Sequence, residues 1–270
     1  MENLFAAAYY CLLLKDPVAK VTQTKSLVND WRKCSIQKKS LAVADSIDTE
    51  VIDEPGRPDK PDLVDPRKLP RRSISTPQGT AALIHAITHI EFNAINLALD
   101  AVYRFQEMPL DYYSDWLQVA DEEAHHFELL NNRLNETGYR YGDFDAHNGL
   151  WDMAMTTAHD VLVRMALVPR VMEARGLDVT PGIIDRFNMI GDEQTVEILE
   201  IIMHEEVGHV EIGSRWFHYL CDLKQLPREK TYRDLMGQYA KGKLKPPLHR
   251  DARLSAGFTE SELEYLEGML

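Results

Sequence analysis

The sequence predicts an all-α protein built on a four-helix bundle. Three observations carry that reading. Apolar residues recur every three to four positions through long stretches between 79 and 223. Stop signals separate those stretches, at Met108-Pro109, Gly138 and Gly176. No run of alternating apolar and polar residues is long enough for a sheet.

The elements follow in order. An apolar stretch, Leu4 to Leu14, reads as a first amphipathic helix capped by Asn3. It falls well short of the roughly 20 residues a bilayer needs, and Glu2 stands where a signal peptide carries a basic residue. A second short helix follows a break near Asp16-Pro17. Six of the thirteen prolines lie between Pro55 and Pro77, so residues 43–77 read as an extended arm anchored by Leu63, Val64, Leu69 and Ile74. Long helices are then predicted over roughly 79–107, 110–137, 150–175 and 192–223. Thr180-Pro181 would open a short helix after Gly176. One more helix is expected near 229–240, and a last one at the Thr259-x-x-Glu262 capping box. The implied organisation is 1–78 for terminal helices and arm, 79–223 for the bundle and 224–270 for a helical tail.

The chain has 270 residues, with 44% hydrophobic and 27% charged, an ordinary globular balance. Its net charge of −13 disfavours nucleic acid and anionic membranes as partners. Arg67, Lys68, Arg71 and Arg72 form the one local basic cluster that would soften this. Three widely spaced cysteines, Cys11, Cys34 and Cys221, argue for a reducing compartment, and a cytoplasmic setting is expected.

The chemistry lies on the apolar stripes. On 79–107 the stripe runs Ile84, Ile87, Glu91, Ala94, Ala98, Val102, and on 110–137 it runs Trp116, Val119, Glu123, His126, Leu130, Leu134. On 150–175 it is Met155, Leu162, Ala166, Pro169, Glu173, and on 192–223 it is Leu199, Ile202, Glu206, His209, Gly213, Trp216. Each long helix thus sets an acid on its core face, and two of them add a histidine three residues later. A carboxylate buried alone costs several kcal/mol, so such groups are paired or bind metal. Four core acids with two histidines balance two divalent cations, and the i, i+3 spacing lets Glu and His reach one ion. Glu91, Glu123, His126, Glu173, Glu206 and His209 are therefore the expected ligands of a two-metal carboxylate centre, with iron favoured and manganese acceptable. An internal repeat supports them: 32 residues separate Glu91 from Glu123, and 33 separate Glu173 from Glu206. The repeat also sets the register, because Gly208 occupies the place of His125, leaving Glu122 and His125 off the stripe. A His-Glu-x-x-His reading at His204 fails on that same Gly208.

Four stretches resemble the ferritin-like superfamily, and within it a bacterial branch known only as a domain of unknown function. They are His85–Glu91, Ala98–Phe105, Glu173–Pro181 and Glu205–His209. The resemblance spans 79–223 and the Pro-rich arm. It implies a ferritin-like bundle, a dinuclear metal site and oxygen chemistry, and it supplies no substrate.

The function expected is a di-iron or iron/manganese oxidoreductase acting with O2 or peroxide on a small-molecule substrate, with an unidentified electron donor; a homodimer is allowed. The alternatives are a non-enzymatic iron-binding or storage protein and, ranked lower, a tRNA-modifying hydroxylase. Other residues stay open between site and scaffold: His85, His89 and His147 near the centre, Arg175 and Asp178 after Glu173, His159, Asp160 and Arg164 as orienting groups, and Tyr103 as a redox side chain.

Overall fold

The computed structural model describes residues 3–36, 46–70, 72–240 and 244–270. Capping chemistry sets most helix boundaries. Asn3 accepts from the Ala6 N–H at 3.0 Å and opens α1 (Leu4–Leu13); α2 (Pro17–Ile36) follows with its proline in the first turn. Thr76 accepts from Gly79 N–H at 3.1 Å at the start of α3 (Pro77–Arg104). Next come α4 (Leu110–Glu136), ended by Gly138 at φ 84°, and a short α5 (Gly149–Thr156). Then follow α6 (Val161–Leu167), a π-helical segment (Val168–Glu173) and α7 (Ala174–Met189). Asp192 caps α8 (Glu193–Leu223), and α9 (Arg228–Tyr239) and α10 (Arg250–Ser255) precede α11 (Glu260–Glu267), which opens on the reciprocal Thr259/Glu262 capping box. Among the described residues no strand forms; Leu63 and Ala146 make an isolated bridge.

The structure corrects the expectation of one helix over 150–175. The chain breaks at 157–160, where the Asp160 carboxylate accepts from the Leu162 N–H at 2.7 Å and starts a new helix. Such a side chain offers the backbone an alternative to continuing the previous turn. Gly176 and Thr180-Pro181 are corrected as well, since they lie inside α7 and end or start nothing. Gly176 is not among the residues at positive φ; the reversal falls at Gly191, φ 73°. Packing of α7 against α8, with Leu177 and Phe187 fully buried, outweighs the roughly 3 kcal/mol that an interior proline costs.

The chain divides into two compact units, residues 1–155 and 156–270. In the first, α3 and α4 pair as a hairpin, with α1 laid on α3 and α2 on α4. The arm covers this unit through backbone bonds. Gly56 N–H donates to Leu12 O at 2.9 Å, and Val64 N–H donates to Ala146 O at 2.9 Å. Leu63, Val64, Leu69 and Ile74 are half-buried along it, whereas Arg67, Lys68 and Arg72 are exposed and Arg71 lies outside the described residues. In the second unit α7 and α8 pair, α6 and the π segment pack on α8, α10 contacts α7 and α8, and α9 receives α11. Among the described residues one helix, α3, has the length and composition to cross a membrane, but 78% of its most apolar window is buried inside the protein.

Candidate metal centre

In the first unit, α3 carries Glu91 and α4 carries Glu123 and His126. All three side chains are buried, Glu123 and His126 completely. The Thr76 cap fixes where α3 begins, and its periodicity then turns Glu91 inward with Ile84, Ile87 and Ala94. On α4 the register is equally definite: Glu123 and His126 face inward, Glu122 is half-buried and His125 is exposed. His126 Nδ1 lies 3.2 Å from Glu91 Oε2 and 3.5 Å from Glu123 Oε2. One ligand atom from each of the three falls within 4.8 Å of the others.

The electrostatics of this triad are short of positive charge. Burial and the neighbouring Glu123 carboxylate push Glu91 up to about 8, with His126 pulling only partly against them. Burial alone would lower His126, but Glu123 and Glu91 outweigh it and push the imidazole up to about 11. The metal-free triad therefore retains protons that a divalent cation would replace. Two carboxylates and an imidazole are an oxygen-and-nitrogen donor set suited to iron or manganese. The triad is thus a buried Glu/His group able to hold a metal ion.

In the second unit α8 presents the matching pair. Glu206 and His209 are buried, and His209 Nδ1 lies 3.5 Å from Glu206 Oε1, the separation of His126 from Glu123. Glu205 is half-buried, and His204 and Gly208 are exposed. Glu173 is buried at the last position of the π segment. Wider π turns of this kind recur at functional sites. Sequence periodicity missed it, although Pro169 inside an otherwise helical stripe was a signal of an interrupted ladder.

The remaining candidates have definite places. His85 Nε2 accepts from Gly142 N–H at 3.0 Å, and His89 Nδ1 meets the Tyr141 hydroxyl at 2.8 Å. Burial pushes both histidines down to about 4, so both are neutral at neutral pH and fasten the 139–148 loop to α3. His147 Nδ1 accepts from Gly149 N–H. The Tyr103 hydroxyl accepts from Glu50 N–H at 2.7 Å and its ring stacks on Tyr9. Arg175 binds the carbonyls of Lys245, Pro246 and Pro247, and Asp178 pairs with Arg253. His159 is exposed beside Tyr239, Asp160 pairs with Lys224, and Arg164 donates to Thr157 Oγ1 at 2.7 Å.

A protein of Haemophilus influenzae described as uncharacterised is 49% identical to this chain over 216 residues, covering 77% of the chain and 75% of the relative. No solved structure matches the chain significantly. A family model described as "Protein of unknown function (DUF455)" matches residues 13–264. With that match over most of its length, the chain belongs to the DUF455 family.

Proposed function

We propose that this chain is a two-metal carboxylate oxidoreductase, with iron favoured and manganese acceptable, in a ferritin-like arrangement. The observation that carries the reading is the buried Glu91–Glu123–His126 triad, whose acids outnumber its one imidazole. The second unit supports it with its own buried Glu206–His209 pair and Glu173, at nearly the same sequence interval. In this reading all six side chains are metal ligands. His126 and His209 would each supply a nitrogen donor, and Glu91, Glu123, Glu173 and Glu206 would supply carboxylate oxygens. Reduced iron held there would pass electrons to O2 or peroxide, at the expense of a small-molecule substrate and an external electron donor. The protein's own contribution is to keep the acids dry and fixed, and to exchange their protons for metal. Free, buried Cys11 and Cys221 suit the cytoplasmic setting we infer.

The test is elemental analysis of protein purified without chelators, followed by O2 consumption on anaerobic reduction and re-exposure. Two ions of iron or manganese per chain and rapid O2 uptake are expected. Protein that binds neither ion would remove the reading. Two ions without O2 uptake would leave metal storage in its place.

A further inference from the structure

Glu173 ends a turn that is wider than an α-turn, and a π segment does not align its carbonyls for the usual i−4 ladder. One carbonyl of that segment, and one from the first residue of α7, are approached by a single side chain of the C-terminal tail. Arg253, on α10 and fully buried, reaches Arg170 O at 3.5 Å and Ala174 O at 3.4 Å. These carbonyls bracket Glu173, three residues before it and one after. The same guanidinium forks onto the buried Asp178 carboxylate, Nε to Oδ1 at 2.9 Å and Nη2 to Oδ2 at 2.7 Å. Asp178 thereby aims the guanidinium and neutralises it. A second buried pair, Arg170 Nη2 to Glu262 Oε2 at 2.7 Å, ties the start of the same segment to α11.

A planar fork that satisfies a carboxylate and two backbone oxygens at once is a task lysine cannot perform. Burying such an ion pair adds little stability compared with apolar packing of similar volume. What the arrangement does supply is a fixed path for the backbone on both sides of one carboxylate. We propose that Arg253 is a positioning residue of the metal centre, holding the widened turn so that Glu173 stays in place to bind. This rests on the reading of Glu173 as a ligand.

Cobalt(II) titration of the full chain, read by visible absorption and by elemental analysis, tests it. Wild type should take up two ions, and Glu173→Gln should weaken one of them. Arg253→Met should weaken that same ion about 10-fold, the low end of what losing a group bonded directly to a ligand brings, because Arg253 holds only the backbone beside Glu173. Its absorption spectrum should shift as that of Glu173→Gln does, at temperatures where the variant is folded by circular dichroism. Arg253→Lys should recover the fold but only part of the affinity. Arg233→Met removes another guanidinium of the tail, one that bonds Ser261 Oγ at 2.7 Å, and it should titrate as wild type.

If folded Arg253→Met has the wild-type titration and spectrum, the proposal is overturned. If Arg253→Met does not fold, wild-type titrations of Arg253→Lys and Asp178→Asn overturn it equally. Failure of the underlying reading looks different. Wild type that binds no cobalt removes the centre itself, and a wild-type titration by Glu173→Gln removes Glu173 from the ligand set.

Discussion

Chelating the metal should lower the melting temperature, by an amount that grows with pH. The sign follows from the triad. Glu91 titrates at about 8 in the fold, against 4.5 for an ordinary glutamate, because burial and Glu123 disfavour its charge. Between those values the folded metal-free protein holds a proton that the unfolded chain has released, so its stability falls as pH rises. His126 acts in the same sense: burial opposes its charge, Glu123 and Glu91 prevail, and it titrates at about 11 instead of 6.5. Each such proton costs about 1.4 kcal/mol per pH unit through its window. Metal displaces these protons, so binding strengthens over the same range. With manganese(II) at about 100 times its dissociation constant, the stabilisation is roughly 2.7 kcal/mol per independent ion. At about 2 °C per kcal/mol for a chain of this size, that is a shift of about 5 °C per ion. Circular-dichroism melts with EDTA and with manganese(II), from pH 5.5 to 8.5, should show a gap that nearly closes at the acid end. Superimposable melts, in protein shown by elemental analysis to have lost its ions, would mean that these acids do not form a metal site. A gap that widens toward pH 5.5 would refute the proton exchange.

Glu123→Ala and His209→Ala should each bring bound metal well below two ions per chain by elemental analysis, and full occupancy in both would remove them from the ligand set. Glu122→Ala and His125→Ala should retain the metal, since the first is half-buried and the second exposed; an empty site in His125→Ala with a full one in His126→Ala would reverse the register. Lys20 is fully buried and donates to Cys11 O, Leu12 O and Asn96 Oδ1 at 3.1, 2.7 and 2.6 Å. Lys20→Met strands these acceptors and should cost roughly 3 kcal/mol in urea unfolding. Burial lowers Lys20 to about 7 from 10.5, so its protonation favours the unfolded chain, and the variant should also lose a rise in stability from pH 7 to 10. A Cβ at Gly213 would fall well inside contact distance of the Pro169 ring, so Gly213→Ala should cost about 1–3 kcal/mol and disturb α8 beside the π segment.

Glu91, Glu123 and His126 were legible because they lie on uninterrupted helices. Along α3 and α4 the 3.6-residue period holds from cap to cap, so an acid on the apolar stripe is an acid in the core, and Glu91, Glu123 and His126 are all buried. The same logic put Glu206 and His209 inward on α8. It fails between 156 and 176, where a periodic stripe continues through a break, a short helix and a π turn. Asp160 looks there like a partner for a metal ligand and instead caps α6. Gly176 and Pro181 look like punctuation, and packing on α8 carries the helix through both. Local signals state a cost of a few kcal/mol, and they lose wherever tertiary burial exceeds it.

The repeat in the sequence therefore conceals two different constructions. Glu91 needs no special support, because an unbroken α-helix with Thr76 at its start and twenty buried residues along it fixes the backbone. Glu173 sits where the ladder is widened, with the Ala174 N–H donating five residues back to Pro169 O. Side chains of the tail reach it from 79 to 92 residues further on, Arg253 at the Arg170 and Ala174 carbonyls and Glu262 at the Arg170 guanidinium. Pairings at that separation leave no periodic trace, and a buried arginine is indistinguishable in sequence from a surface one. This gives the helical tail a task in the second unit that the Thr259 capping box alone did not suggest. Glu262 closes that box on Thr259 N–H and also receives Arg170, so the cap of α11 and the π turn share one carboxylate. Loss of that carboxylate would release both at once, which couples the order of the tail to the placement of Glu173.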